Sequence, residues 1–561
     1  MRKGSVIRRL FAAIVAVLAV VAPGTASSAV SRLDEHGTTL IDGQKVFPIV
    51  LAKGPERDTT TPDGFDALDE VVGAGVNVFK VGPATSPWLQ ADKDDALAWN
   101  RDAAVRGAYT WVNLATLADA TPETPVREAR LREVIGLLEG DPSGTALAMW
   151  KGADEPWLAG FAPEELQYAY CVATSRGESS WCGGRPVADS DHLWVTIQAP
   201  RGTPSDLAPY AAVTDVHGVD HYPVTYARRA DPDLHEIGTW TRTIASVTPN
   251  HAVWTTLQVC ASGSSGPEGD FVLPTRRQER YMIYDAILNG ARNLAFYGGN
   301  LARCWNATDT TYQWGWTFWN DVLKSLIKEI NAESPIASAL VNPGSTTVLS
   351  SDDATTQVIS REGADGELWV IAARHGGGSK TVTINGLPPA VTSGTVYSEG
   401  RPIAIADGSL SDAFDRWDVH VYRLTVPPTP PPPAPPPSTP PTPPPAAPPP
   451  PPPPSPTPPP PPPSPPSPGS TRSTGDVKPP NTRLTASPAG RTEERRARFR
   501  FVSTEPGSRF QCRLDRKPWT QCRSPEAYRR LRKGLHVFRV RARDAAGNTD
   551  PTPAVRSWRI R

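Results

Sequence analysis

The sequence predicts a (β/α)8 barrel followed by two small β-sandwich modules, and three observations carry that prediction. Strand-like apolar runs recur eight times before residue 300 with helix-length segments between them, the pattern of repeated βα units. The fourth run, Ala146 to Trp157 (ALAMWKGADEPW), stops at two adjacent carboxylates and a proline. Past residue 335 the runs become short and alternating, as in antiparallel sheets, with one intervening stretch of almost pure proline.

The chain has 561 residues, too many for one domain, and its composition divides it. Residues 1–29 read as a signal peptide: basic MRKGSVIRR, an apolar core from Leu10 to Ala22, and small residues suited to cleavage near Ala26 or Ala29. Arg8-Arg9 before Leu10-Phe11 is a weak twin-arginine signal. No later stretch is long and apolar enough to span a bilayer. Secretion, with a site outside the cell or at its envelope, is therefore expected, and an oxidising compartment favours disulfides for the six cysteines. Six cysteines allow fifteen connectivities. Sequence order proposes Cys171 with Cys182, Cys260 with Cys304, and Cys512 with Cys522.

Residues 30–335 hold the expected barrel. Its strands are read at Lys45 to Gly54, Gly75 to Pro83, Gly107 to Ala115, Ala146 to Trp157, Leu193 to Pro200, Val213 to Val224, Ala252 to Cys260 and Asn293 to Gly299. Eight strands close a barrel whose interior side chains can fill. Between them, Pro163 to Ser175 opens with proline and Glu164-Glu165, as a helix first turn does, while Val322, Leu323, Leu326, Ile327 and Ile330 share a helical stripe.

A parallel strand buried on both faces is apolar almost throughout, so acids appear where it leaves the core, and proline then ends the ladder. In a (β/α)8 barrel that end is the catalytic face. Asp154 and Glu155 are thus the first catalytic candidates; the plainer reading makes one a helix cap and the other a solvated acid. The acid-Pro motif ending strand 4, the Tyr-Pro of GVDHYPV ending strand 6 and the aromatic-rich strand 7 resemble TIM-barrel glycoside hydrolases, especially the large clan with its acid/base on strand 4 and its nucleophile on strand 7. The resemblance covers roughly Gly43 to Ser334. It implies Glu155 as acid/base, with Asp154 where that clan carries asparagine. It also exposes a departure: strand 7 reads VWTTLQVC, so Gln258 stands where the nucleophilic glutamate is expected. An amide cannot form a glycosyl ester. Glycoside cleavage needs two carboxyl groups, one protonated and one ionised, and Asp220 in GVDHYPV is the expected partner. Glu268 and Asp270, in the Gly/Ser-rich loop after strand 7, are alternatives.

Trp88, Trp157, Tyr222, Trp305, Trp314 and Trp316 fall at strand ends or in the following loops, where sugar rings stack on flat apolar surfaces; the competing reading for any one of them is packing at the barrel edge. Lys80, Gln258 and His221 are candidates to orient hydroxyl groups. His217 and His221 lack an evident third ligand, so neither a metal nor a cofactor is expected.

Residues 336–426 read as a small β-sandwich (TTVLS, TQVISR, LWVIAAR, KTVTI, GTVYS, WDVHVYRL), which resembles the β-domain that packs beside glycosidase barrels. Residues 427–477 form a polyproline spacer, whose proline-dense part would reach on the order of 130 Å at about 3.1 Å per residue if straight. Residues 478–561 (ARFRFVS, SRFQCRLD, HVFRVRARD, RSWRI) resemble bacterial immunoglobulin-like repeats. From Asp476 onward 22 Lys+Arg face 8 Asp+Glu, a net of +14 in a chain whose total is zero. For a secreted module such a basic face points to anionic cell-envelope polymer rather than nucleic acid; otherwise the arginines serve solubility. The expectation is a secreted glycoside hydrolase-like protein acting on a carbohydrate. The alternative is a non-catalytic glycan-binding or surface protein on a barrel lacking the strand 7 nucleophile.

Overall fold

The computed structural model describes residues 29–141, 146–177, 180–182, 192–225, 231–249, 251–262, 271–342, 344–425, 479–488, 491–492, 494–514, 517, 519–550 and 553–560. The expected signal peptide up to residue 28, the proline-rich stretch, and the loop with Glu268 and Asp270 lie outside the described residues. The chain forms two compact units, residues 1–434 and 435–561.

The first unit opens with a three-stranded sheet of β1 (Ser31–Leu33), β2 (Thr39–Ile41) and β3 (Gln44–Lys45). Its buried Ile41 joins the interior cluster of the barrel, and the Ser31 hydroxyl accepts from Leu193 N at 2.8 Å and donates to Ala148 O. The sheet thereby plugs the end of the barrel opposite the strand C-termini.

Eight parallel strands then close on one another: β4 (Ile49–Leu51), β5 (Val78–Val81), β6 (Tyr109–Asn113), β7 (Leu147–Asp154), β8 (Leu193–Gln198), β9 (Val216–Asp220), β10 (Ala252–Gln258) and, after the hairpin β11 (Ala261–Ser262) and β12 (Phe271–Val272), β13 (Ala291–Tyr297). Each lies inside an expected run, except that β13 starts two residues before its own. The first is shorter than expected because Lys45 pairs in β3 and Pro48 has no N–H for the ladder. Side chains alternate as strand geometry requires: Val50, Val78, Trp111, Ile197, Trp254 and Ala295 fill the interior, whereas Ile49, Leu51, Phe79, Val112, Leu294 and Phe296 face the helical layer. That layer comprises α1 (Ala67–Ala74), α2 (Gln90–Val105), α3 (Pro125–Glu139), α4 (Pro156–Ala159), α5 (Pro163–Thr174), α6 (Pro204–Leu207), α7 (Glu236–Val247), α8 (Arg276–Leu288) and the helix Lys324–Ile330. Three of the first five start on proline, which supplies a helical φ where an N–H would be unpaired anyway. Among the described residues no helix is long and apolar enough to cross a membrane.

The antiparallel sandwich beside the barrel consists of β14 (Ser350–Ser351), β15 (Thr356–Glu362), β16 (Glu367–Arg374), β17 (Lys380–Asn385), β18 (Ser393–Val396), β19 (Arg401–Ala404), β20 (Ser409–Phe414) and β21 (Val419–Thr425), arranged as sheets β14-β17-β20 and β15-β16-β21-β18-β19. One hydrophobic core runs through both parts, since Trp369, Ile371, Val419 and Val421 cluster with the barrel's outer layer. Arg280 of α8 fastens the seam, donating to Val419 O at 2.5 Å and Glu329 at 2.7 Å, and the Tyr281 ring meets Trp417 edge-on at 4.8 Å.

The second unit is a two-sheet sandwich of β22 (Thr482–Ala486), β23 (Arg491–Thr492), β24 (Arg496–Ser503), β25 (Arg509–Leu514), β26 (Thr520–Cys522), β27 (Glu526–Arg529), β28 (Gly534–Arg543) and β29 (Ala554–Ile560). Phe499, Phe501, Leu514 and Phe538 form its core. All three expected disulfides are present: Cys171–Cys182, Cys260–Cys304 and Cys512–Cys522.

Candidate active site

The site is organised by one extra residue in β7. Between Lys151 and Asp154 the pairing with β8 slips, three steps on β7 matching two on β8, from Val195 to Ile197. In a regular strand residues three apart point to opposite faces; the bulge turns both inward, and the Lys151 ammonium donates to Asp154 at 2.5 Å. Gly152 makes the bulge possible, because a Cβ there would lie 2.2 Å from the Trp194 indole nitrogen.

The strand ends in a strained turn. Glu155 has φ 46° and ψ 50°, left-handed values that cost a non-glycine residue roughly 1–2 kcal/mol, and its N–H donates to Ile197 O at 2.7 Å. Such strain collects at functional sites. The turn carries the half-buried Glu155 carboxyl toward Asp220 at the end of β9, near enough for each acid to act on the other's proton affinity. Asp220 also accepts from the Tyr222 hydroxyl at 3.1 Å, and Tyr222 stacks on Tyr297 with centroids 5.7 Å apart.

Three acids in one mouth cannot all ionise freely. Burial, then the neighbouring Glu155 and Asp154 charges, push Asp220 up to about 7. Burial and Asp154 also raise Glu155, against a lowering by its bond to Asp220. For Asp154 burial pulls upward too, but the Lys151 and Lys80 charges outweigh it and hold this carboxylate low. The consequence is one fixed anion beside two carboxyl groups whose protonated forms are favoured.

The floor is aromatic. Trp111 of β6 and Trp254 of β10 come from opposite sides of the ring of strands, and their rings meet across the axis at 4.6 Å. The amines of Lys80 and Lys151 lie over the Trp111 ring, 5.7 and 5.9 Å from its centroid. Sequence reasoning missed Trp111, Trp254, Lys151 and Tyr297. Lys151 was the readable signal, a lysine inside an otherwise apolar strand.

Of the expected binding residues, Lys80, Trp157, Tyr222 and Trp305 are half-buried around the mouth. Trp157 N–H donates to Gln198 Oε1 at 3.3 Å, and Trp305 Nε1 donates to Gly299 O at 3.0 Å. Four others need correction. Trp88 is fully buried and donates to Asn113 O at 3.1 Å. Trp314 is spent on Lys53 O at 3.0 Å, and Trp316 packs edge-on against it at 4.8 Å, so both form core beneath the eighth loop. Gln258 is buried as well: its Oε1 accepts from Val224 N at 3.1 Å and its Nε2 donates to Val224 O at 2.6 Å. The amide clamps the loop bearing Tyr222 and faces no open space.

His221 pairs with Glu236 at 2.8 Å, whereas His217 lies on the opposite face of β9 from Asp220, enclosed. Among the described residues no group of three His, Cys, Asp or Glu is placed to hold a metal ion. The Cys260–Cys304 bridge ties the segment after β10 to that after β13 and closes one side of the mouth.

No family model and no curated protein matches the chain. Solved structures of low similarity include an α-amylase from Geobacillus thermoleovorans complexed with acarbose, at 11% identity and TM-score 0.41 over 68% of this chain and 99% of that one. A GH51 arabinofuranosidase from Xanthomonas axonopodis pv. citri aligns at 8% identity and TM-score 0.42 over 67% and 93%. A GH27 β-L-arabinopyranosidase from Geobacillus stearothermophilus aligns at 10% identity and TM-score 0.41 over 67% and 96%. The barrel itself is established by its own closed ring of strand pairs.

Two outcomes follow from this geometry. Glu155→Gly, which relieves both the left-handed backbone and the repulsion from Asp154, should stabilise the protein by about 1 kcal/mol, seen as a higher urea midpoint; a lower midpoint would show that the turn is unstrained. Gln258→Glu should cost about 1–3 kcal/mol, because a carboxylate oxygen replaces the donor to Val224 O. An unchanged thermal midpoint in that variant would rule out the clamp.

Proposed function

We propose that the barrel is a secreted glycoside hydrolase-like enzyme that cleaves O-glycosidic bonds of an extracellular poly- or oligosaccharide. The single observation that carries this reading is the pairing of Glu155 and Asp220 at the C-terminal mouth, two neighbouring carboxyl groups whose pKa values are both raised. Glu155 faces the opening and acts as general acid. It delivers the proton to the departing glycosidic oxygen, and Asp220, left ionised beneath the sugar, supports the positive charge growing at the anomeric carbon. Burial and the fixed charge of Asp154 both favour the protonated form of the pair. Trp157, Tyr222 and Trp305 offer partly open rings for sugar stacking. The export signal read in residues 1–29 and the three disulfides support a place outside the cell.

A defined-glycan panel tests the reading. Glu155→Gln and Asp220→Asn should each lower kcat by about 10²–10⁴ with the fold intact by circular dichroism. The rate should fall as pH rises through about 7, where the Glu155–Asp220 pair loses the proton that Glu155 must deliver. Binding without hydrolysis on every glycan would instead support the non-catalytic glycan-binding protein.

For the second unit we propose attachment to an anionic cell-envelope polymer. Its support is a register: on the outer face of one sheet Arg509 stands opposite Arg543 and Arg513 opposite Arg539, while Arg541 lies 4.4 Å over the Trp519 ring. Like charges directly opposed across strands are destabilising unless an anion lies between them. The full chain should bind cell-wall preparations at low salt and leave them at 1 M, where the Debye length is about 3 Å. Arg509→Ser combined with Arg513→Ser should weaken the capture; retention at 1 M salt would exclude a coulombic tether.

A further inference from the structure

The proposed hydrolysis uses the acids of the mouth and leaves its amines idle. Lys80 projects from β5 into the barrel, half-buried, with its amine over the Trp111 ring and facing the mouth. Among the described residues no carboxylate or carbonyl accepts a hydrogen bond from it, in contrast to Lys151, which is committed to Asp154. We infer that Lys80 is a nucleophilic amine that forms a reversible imine with a small carbonyl compound, the open-chain aldehyde of a reducing sugar being the class that fits this mouth.

The surroundings supply what such a step needs. The Lys80 nitrogen attacks the carbonyl carbon, the carbonyl π pair moves to oxygen, and a proton shift gives a neutral carbinolamine. Asp220, protonated near neutrality, donates its proton to the carbinolamine hydroxyl, which departs as water while the nitrogen lone pair forms the C=N bond. No oxidant or reductant is consumed. Four charged groups act on the amine besides the environment itself: burial lowers its pKa first, Lys151 and Lys53 lower it further, and Asp154 and Asp220 oppose them, leaving it at about 7. Near-neutral amines of this kind, desolvated beside another cation, are the lysines that form Schiff bases. The aromatic floor of Trp111 and Trp254 gives the carbon chain an apolar surface, and the acids around it can accept hydrogen bonds from hydroxyl groups.

The test uses the full-length protein, D-glyceraldehyde as the probe, and sodium cyanoborohydride to reduce the imine to a stable secondary amine. Peptide mapping by mass spectrometry then reads the rate at each lysine. At pH 6.5 an amine titrating near 7 is neutral in about a quarter of molecules, against about one in 10⁴ for an ordinary lysine. Lys80 should therefore be labelled at least about 10-fold faster than the exposed Lys328 and Lys533, with a rate-against-pH midpoint near 7. Labelling no faster than at those two residues, or a midpoint near 10, would overturn the inference. The readout contains no glycoside, so a protein that labels at Lys80 without hydrolysing any glycan keeps this inference and loses the hydrolase, and the reverse result does the opposite.

Discussion

The bulge in β7 is the constraint on which the mouth of the barrel depends. Without the extra residue between Lys151 and Asp154, these side chains would lie on opposite faces of the strand, and an ammonium only 2% exposed would have no adjacent anion. A buried charge without a partner is among the costliest errors a core can hold. The bulge prevents it, and its geometry propagates. The strand leaves the sheet one residue out of step, Glu155 takes the left-handed turn that sends the chain into α4, and its carboxyl arrives at Asp220. Gly152 beneath the Trp194 indole is the sequence's share in this arrangement.

Charge accounting then determines which acid does what. Lys151 is in contact with Asp154, and Lys80 adds its field, so Asp154 stays ionised and acts as a fixed negative charge. Glu155 and Asp220 feel that charge and each other, with no cation in contact to offset them, and the deeper of the two rises further. An acid with a near-neutral pKa therefore arises from placement alone. Lys80 is displaced the other way: burial first, then its cationic neighbours, lower its pKa, and the acids partly restore it. Protonatable groups of both signs are thus brought to the same pH range within one mouth.

Much of this was legible in the sequence, for physical reasons that also mark where legibility stops. The eight strands were readable because buried parallel strands are apolar throughout, and Asp154, Glu155 and Asp220 because acids at their ends interrupt that pattern. The disulfides followed from compartment and order. The tryptophans were not separable: Trp88, Trp314 and Trp316 occupy loops as Trp157 and Trp305 do, but all three are buried, and the N–H groups of Trp88 and Trp314 are spent on the Asn113 and Lys53 carbonyls, 25 and 261 residues away in sequence. Gln258 was read as a displaced nucleophile because its position along β10 is visible, whereas its partner, the Val224 backbone 34 residues away, is not. The bulge escaped notice because KGAD carries no local mark of a register shift; only the buried Lys151 hinted that something must answer its charge.

The aromatic floor sets a final limit on what the barrel can accept. Trp111 and Trp254 belong to strands four places apart in a ring of eight, so their contact at 4.6 Å spans the axis and fills it. Below them Val50, Val78 and Ala295 continue the packed interior, and the β1–β3 sheet closes the far end. No ligand can thread the barrel; anything bound must lie across the mouth, over the two indoles and beneath the loops. Gln258 fits the same geometry: with its amide locked beneath the Tyr222 loop, the seventh strand offers support, and the carboxyl that faces Glu155 comes from the sixth.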